Sequence, residues 1–282
     1  MKATRVFLLL PLAATMTGTV LAAQQTTPLP STSPVPATAS AAQQGQNDHY
    51  RSLANDYGTL NRYAAANASL PAPGPTEKRV LFFGDSITDG WHLDQFFPGR
   101  NYVNRGISGQ TTPQMLVRFR QDVIDLHPAV LVVLAGTNDL AGLTGPETTQ
   151  QIENNYASMA ELAKLHGIQV VFSSVMPVNN FVHLETTTQR PPSQILALNT
   201  WLQQYCAANN LVYLDYFSAM VDPAGMLKRE ISGDGLHPNA AGYAVMAPLA
   251  QAAIDKALAA PAPLPSAGPT AAPATPPGPP AL

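Results

Sequence analysis

Ser86 lies in Gly84-Asp85-Ser86-Ile87-Thr88-Asp89-Gly90, directly after the apolar run Val80-Leu81-Phe82-Phe83. A serine at such a strand-to-helix turn has two uses: its hydroxyl can cap the helix that follows, or it can attack an electrophile. A hydroxyl is a poor nucleophile near neutral pH. It needs a base, a group that orients the base, and donors for the oxyanion that develops. Further along, Ser232-Gly233-Asp234-Gly235-Leu236-His237-Pro238 sets a carboxylate three residues before an imidazole in a glycine-rich loop. At that spacing Asp234 can accept from one ring nitrogen of His237 while the other faces Ser86. Ala135-Gly136-Thr137-Asn138-Asp139 offers the Asn138 amide. The stretch from Arg105 to Thr112, with Gly106 and Gly109, offers backbone N–H groups from a glycine turn entering a helix, a place suited to an anion.

Such residues work only if the fold brings them together. Five segments read as buried strands: Arg79 to Phe83, Tyr102 to Asn104, Ala129 to Ala135, Ile168 to Val175 and Leu211 to Asp215. The third contains Val130-Leu131-Val132-Val133-Leu134, apolar on both faces, as a central parallel strand covered on both sides should be. Helical segments separate the strands: Thr112 to Leu126 with Pro113 in its first turn, Pro146 to His166 ended by Gly167, Pro192 to Ala208, and Asn239 to about Leu258. Alternating strands and helices imply right-handed crossovers, hence an α/β fold with a parallel sheet between two helical layers. Tyr50, Leu53, Tyr57 and Leu60 repeat at helical spacing and predict an extra N-terminal helix packed on this domain. In an open parallel sheet, ligands bind beyond the carboxyl ends of the strands. That rule selects 84–91, 105–111, 136–140 and 176–183, which hold most of the unusual residues.

Gly84-Asp85-Ser86-Ile87-Thr88, then Gly109 in Gly106-Ile107-Ser108-Gly109, then Gly136-Thr137-Asn138-Asp139, then Asp234-Gly235-Leu236-His237-Pro238 resemble, in order, the four sequence blocks of the SGNH (GDSL-type) hydrolases. The resemblance covers about Arg79 to Ala259. Ile87 stands where the first block often has leucine, and the matches look closest to the acetylhydrolase-like and arylesterase-like branches, where acyl groups tend to be short. The resemblance implies a flavodoxin-like three-layer α/β/α sandwich with a five-stranded parallel sheet, and hydrolysis of carboxylic or thio esters without a cofactor. It also implies roles: Ser86 as nucleophile, His237 as base, Asp234 as its orienter, and an oxyanion hole made by the Ser86 and Gly109 N–H groups and the Asn138 side chain. An ordinary α/β-hydrolase is disfavoured, since Thr88 stands where the Gly-x-Ser-x-Gly elbow has its second glycine.

Other residues carry two readings. Asp85 and Asp139 either touch substrate or hold their turns by side-chain to backbone bonds. Trp91, Phe96, Phe97 and Phe181 either wall an acyl pocket or belong to the core, with Trp91 and Phe181 the better candidates for substrate contact. His183 falls in a substrate-side loop. His49, His92, His127 and His166 read as surface or core residues. No metal motif is present, and no lysine follows Gly109 as a phosphate loop would require.

Of 282 residues, 45% are apolar and 12% charged, enough to bury one sizeable core, while 27 prolines cluster toward the ends. Residues 1–22 have Lys2 and Arg5 before an apolar stretch and end in Val20-Leu21-Ala22, the pattern of a cleaved signal peptide. Residues 23–47 read as a low-complexity linker, 48–259 as the SGNH-type domain, and 260–282 as a Pro/Ala-rich disordered tail. Cys206, the sole cysteine, permits no intramolecular disulfide and lies far from the cleavage site, so no lipoprotein anchor is expected. A net charge of −3 with scattered Lys and Arg argues against a nucleic-acid surface. The sequence thus reads as a secreted or periplasmic serine esterase for small-molecule or polysaccharide esters, with short acyl groups such as acetyl favoured. Rival readings are a lysophospholipase or thioesterase, a glycan O-acyltransferase, and a non-catalytic carbohydrate- or lipid-binding protein. The oligomeric state has no signature in the sequence.

Overall fold

Apolar runs bounded by glycine become five short strands: β1 (Val80–Gly84), β2 (Val103–Gly106), β3 (Val130–Leu134), β4 (Gln169–Ser173) and β5 (Val212–Leu214). They form one parallel sheet in the order β2-β1-β3-β4-β5 in the computed structural model, which describes residues 41–261. The helices are α1 (Ala41–Asn55), α2 (Ala64–Ser69), α3 (Ser86–Asp89), α4 (Leu93–Phe96), α5 (Thr112–Asp122) and α6 (Thr137–Leu140). After them come α7 (Thr149–Leu165), α8 (Thr186–Gln189), α9 (Pro192–Asn209), α10 (Phe217–Met220) and α11 (Ala240–Ala259). The chain divides into two units, residues 1–45 and 46–282.

Successive strand residues alternate between the two faces. Leu81, Phe83, Leu131, Val133 and Phe172 pack under Met115, Phe119, Ile152, Tyr156, Leu198 and Leu202 of α5, α7 and α9. Val80, Phe82, Val132 and Leu134 pack under Trp91, Met246, Ala250 and Ile254, the last three from α11. This is the three-layer, flavodoxin-like sandwich, with its sheet order reversing between β1 and β3. The fully buried Cys206 belongs to the first cluster, and burial pushes its thiol up to about 12, so it is chemically quiet.

Boundaries differ from the sequence reading where caps decide them. The helix predicted from Pro146 begins at Thr149, because Thr148 and Gln151 close a capping box. The helix from Thr112 stops at Asp122 and tightens into a single 3-10 turn, Ile124–Leu126. The N-terminal helix needs a larger correction. It starts at Ala41, inside the stretch expected to be a linker, and ends at Asn55, before Tyr57 and Leu60. Its supposed core stripe is not buried, with Tyr50 56% exposed. What ties the following segment down is polar: the side-chain amides of Gln110 and Gln114 donate to the Gly58 and Tyr57 carbonyls, and the Tyr63 hydroxyl donates to the Gly106 carbonyl. The expected signal peptide, most of the expected linker and nearly all of the expected tail lie outside the described residues.

Candidate active site

The turn after β1 is built around two side chains with different tasks. Asp85 caps α3, its Oδ1 accepting from the Ile87 N–H at 2.9 Å. Ser86 is therefore the first helical residue and not the cap. Its hydroxyl is spared for another partner, His237 Nε2, at 2.9 Å. Gly84 is required here, since a Cβ would run into the Thr88 hydroxyl and the Leu134 carbonyl on the neighbouring strand.

His237 arrives from the loop between β5 and α11. Asp234 folds that loop around itself: Oδ1 accepts from the N–H groups of Leu236 and His237 at 2.9 and 2.8 Å, and Oδ2 faces His237 Nδ1 at 2.7 Å. Partial burial pushes the Asp234 carboxyl up, but the His237 ring and the two backbone donors outweigh it and bring it down to about 2. It stays ionised at neutral pH. Gly235 takes a φ of +94°, and its carbonyl accepts from the Asn179 N–H at 2.7 Å, which pins the loop to the segment following β4. The His237 side chain remains 44% exposed, open to an incoming ligand.

Two other elements that the sequence singled out carry Gly109 and the buried Asn138, neither of which lines the cleft around Ser86 and His237. Gly109, exposed and at φ +80°, sits in the loop from β2 to α5. Asn138 lies in α6, which leaves β3 through Gly136 at φ +97°. Its amide nitrogen donates to the Gln110 carbonyl at 3.0 Å, joining the two elements. Ser86, His237, Asp89, Gly90, Ser108, Pro238 and Tyr243 line one shallow, open cleft of about 460 Å³. A serine hydroxyl bonded to an imidazole that is bonded to a carboxylate can transfer a proton away from the serine oxygen as that oxygen attacks.

Not every expected contact residue reaches this cleft. Asp85 is fully buried and serves its turn, so it is not a substrate contact. Asp139 is likewise buried, accepting from the Thr112 N–H at 2.8 Å and from the Thr112 hydroxyl. Burial pushes these carboxyls up to about 7 and about 6 respectively. Trp91 is 3% exposed, stacked on Tyr243 at 5.2 Å and packed edge-on against Phe82. It supports the cleft wall from behind instead of forming it, because the α11 ring covers it. Phe96 and Phe97 join the same aromatic cluster. Phe181 is half-buried with the Arg229 guanidinium 4.4 Å above its ring, and His183 is exposed on the loop after β4; neither lines the cleft. Sequence reasoning missed Asp89, Ser108 and Tyr243. Asp89 and Ser108 stand inside the blocks that the sequence singled out, and Tyr243 lies six residues after His237, but no motif marks any of the three as a cleft residue.

Among the described residues there is no group of three or more His, Cys, Asp or Glu side chains placed to hold a metal ion, and no helix long and apolar enough to cross a membrane.

Comparison with known proteins agrees with this geometry. The chain is 42% identical to a GDSL-like lipase from Bacteroides thetaiotaomicron of known structure, with a TM-score of 0.68 over 71% of this chain and 99% of the other. It is 27% identical to the esterase TesA of Pseudomonas aeruginosa over 56% of this chain and 79% of TesA. It is also 31% identical to the uncharacterized lipoprotein YqeF of Bacillus subtilis, over 35% of this chain and about half (49%) of YqeF. Residues 82–245, more than half of the chain, match the model of the GDSL-like Lipase/Acylhydrolase family. The chain belongs to that family, the SGNH hydrolases, and is a carboxylic ester hydrolase.

Proposed function

We propose that this protein is an exported serine esterase that removes short acyl groups, acetyl above all, from small-molecule or carbohydrate esters. The observation that carries the reading is the line Asp234–His237–Ser86, with contacts of 2.7 and 2.9 Å, opening onto a shallow cleft. His237 Nε2 takes the Ser86 proton as Oγ attacks the ester carbonyl carbon. The carbonyl oxygen becomes an oxyanion, held by the Ser86 and Gly109 N–H groups and by the Asn138 amide hydrogen not used on Gln110. His237 then gives its proton to the leaving alkoxide, and the carbon–oxygen bond to the alcohol breaks. Water repeats the cycle on the acyl-serine and releases the acid. Asp234, ionised throughout, fixes the ring tautomer and balances the imidazolium charge.

The short-acyl preference is supported by the walls of the cleft, which apart from Pro238 and the Tyr243 ring are small or polar, while Trp91, Phe96 and Phe97 are packed into the core behind Tyr243. Export rests on the charged and apolar pattern of residues 1–22. The test is hydrolysis of p-nitrophenyl acetate against p-nitrophenyl octanoate, with Ser86→Ala as the blank. Acetate is expected to be preferred, and Ser86→Ala should lower the rate by at least ~10⁴-fold. A Ser86-dependent preference for octanoate would overturn the short-acyl reading in favour of a lysophospholipase or thioesterase. A rate unchanged by Ser86→Ala would overturn the mechanism.

A further inference from the structure

Arg118 is fully buried in α5, and its guanidinium is spent on the framework of the site. Nη2 donates to the Gly84 carbonyl at 3.1 Å, just ahead of Asp85 and Ser86. Nη1 donates to the Arg105 carbonyl at 2.9 Å and to Asp122 Oδ2 at 3.1 Å. Nε donates to Gln110 Oε1 at 2.5 Å. Gln110 is also the residue whose carbonyl holds the Asn138 amide. One planar cation thus touches the strand that delivers the nucleophile and the loop that carries Gly109, and through Gln110 it bears on Asn138. Its ring of donors is a fixed fork, which suits it to setting angles between carbonyls as a flexible ammonium cannot.

The front of the same loop is held by Asp89. This residue ends the short helix that Ser86 begins, and its Oδ2 accepts from the Ser108 N–H at 3.2 Å and the Ser108 hydroxyl at 2.7 Å. Its Oδ1 accepts from Arg62 Nη2 at 3.3 Å. The loop bearing Gly109 is therefore tied from behind by a buried cation and from in front by a carboxylate three residues from the nucleophile.

Stability alone does not call for a buried ion pair at Arg118 and Asp122, because well-packed apolar residues in such a place are commonly as stable or more so. Geometry does. We propose that Arg118 and Asp89 are positioning residues that set the Ser108–Gln110 loop against Ser86, so that the Gly109 N–H and the Asn138 amide converge on the oxyanion. This rests on the function proposed above, in which those groups form the hole.

The test is a double-mutant cycle on p-nitrophenyl acetate. Arg118→Lys keeps the charge and loses the fork. Asp89→Asn keeps the size at a residue on the rim of the cleft and carries the test independently of any folding defect in the buried variant. Each is expected to lower kcat by about 10- to 100-fold while KM moves less than about threefold, the mark of an interaction made only in the transition state. In an Asn138→Ala background the cost of each should shrink by about threefold or more, because part of what it positions is gone. Costs that multiply independently in the two backgrounds, or a raised KM with kcat kept, would overturn the proposal. Ser86→Ala runs alongside: a rate that survives it overturns the esterase mechanism, whereas Ser86-dependent activity with independent costs overturns the positioning role alone.

Discussion

The Asn138 amide nitrogen donates to the Gln110 carbonyl at 3.0 Å, linking the exit of β3 to the loop that precedes α5. An amide nitrogen has two hydrogens, so one braces the loop and the second is left for the oxyanion in the proposed mechanism. Asn138→Ala removes both. It should lower kcat roughly 10²- to 10³-fold, the usual cost of one oxyanion donor. Asn138→Asp should cost more, since it sets a carboxylate against both the Gln110 carbonyl and the developing oxyanion. Steady-state kinetics on a small activated ester decide the matter. Wild-type kcat in Asn138→Ala would exclude Asn138 from the hole.

Asp234 makes a separable prediction. Its carboxyl lies at about 2, well below the ordinary 3.8, because the His237 ring and two backbone donors overcome the effect of burial. A carboxyl lowered in the folded state supplies stability that is present above its ordinary value and is lost as pH falls toward the folded value. Asp234→Asn should therefore flatten the fall in melting temperature below about pH 5, where the unfolded carboxyl takes up its proton and the folded one does not. Catalysis responds otherwise: with the ring no longer held against a negative charge, kcat should drop by about 10² to 10⁴ at neutral pH. Melting curves and kinetics on the same variant distinguish these effects, and undiminished kcat would remove Asp234 from the mechanism.

Asp85 carries the opposite sign. Burial, then the nearby Asp139 charge, raise its carboxyl to about 7 despite the Ile87 N–H. The folded protein keeps a proton that the unfolded chain releases above about 4, so stability falls as pH rises from there toward 7. Asp85→Asn retains an acceptor for the Ile87 N–H and has no proton to lose. Its melting temperature should decline less across pH 4 to 7 than that of the parent. Parallel curves over that range would show that Asp85 titrates normally.

Much of this site was readable from the chain because its chemistry is local. Asp234 and His237 are three residues apart, so one loop brings them into contact, and Gly84-Asp85-Ser86 sits where a buried strand must end. The 2.9 Å approach of Ser86 to His237 spans 151 residues and follows from the parallel sheet, which collects every strand's carboxyl end on one edge. What escaped was the part set by packing. Trp91 has the composition of a pocket wall, but only the position of α11 decides whether Tyr243 lies in front of it. No motif marks Arg118 in the sequence, yet it is fully buried where backbone carbonyls from β1 and β2 converge on its guanidinium. The N-terminal segment misled for a related reason, since its apolar spacing is helical while its attachment is through backbone carbonyls that no side-chain pattern reveals.

Gly106 ends β2, and a Cβ there would fall onto the backbone of α3, against the Asp89 N–H and the Thr88 carbonyl carbon. Backbone cannot swing aside as a side-chain tip can. Gly106→Ala must therefore push the helix that begins with Ser86 away from the sheet, or move the β2 exit that leads to Gly109. Either shift misaligns Ser86 with the proposed oxyanion donors, and a displacement near 1 Å costs about 10²-fold in rate. Overpacking should also lower stability by about 1 to 3 kcal/mol. Gly233 supplies the comparison: it adjoins Asp234, yet a Cβ there meets nothing within 4 Å, and its φ is not positive. Gly233→Ala should be close to wild type in rate and melting temperature. Equal behaviour of the two variants would show that proximity to the catalytic loops, and not the close approach of α3 to β2, governs tolerance at these glycines.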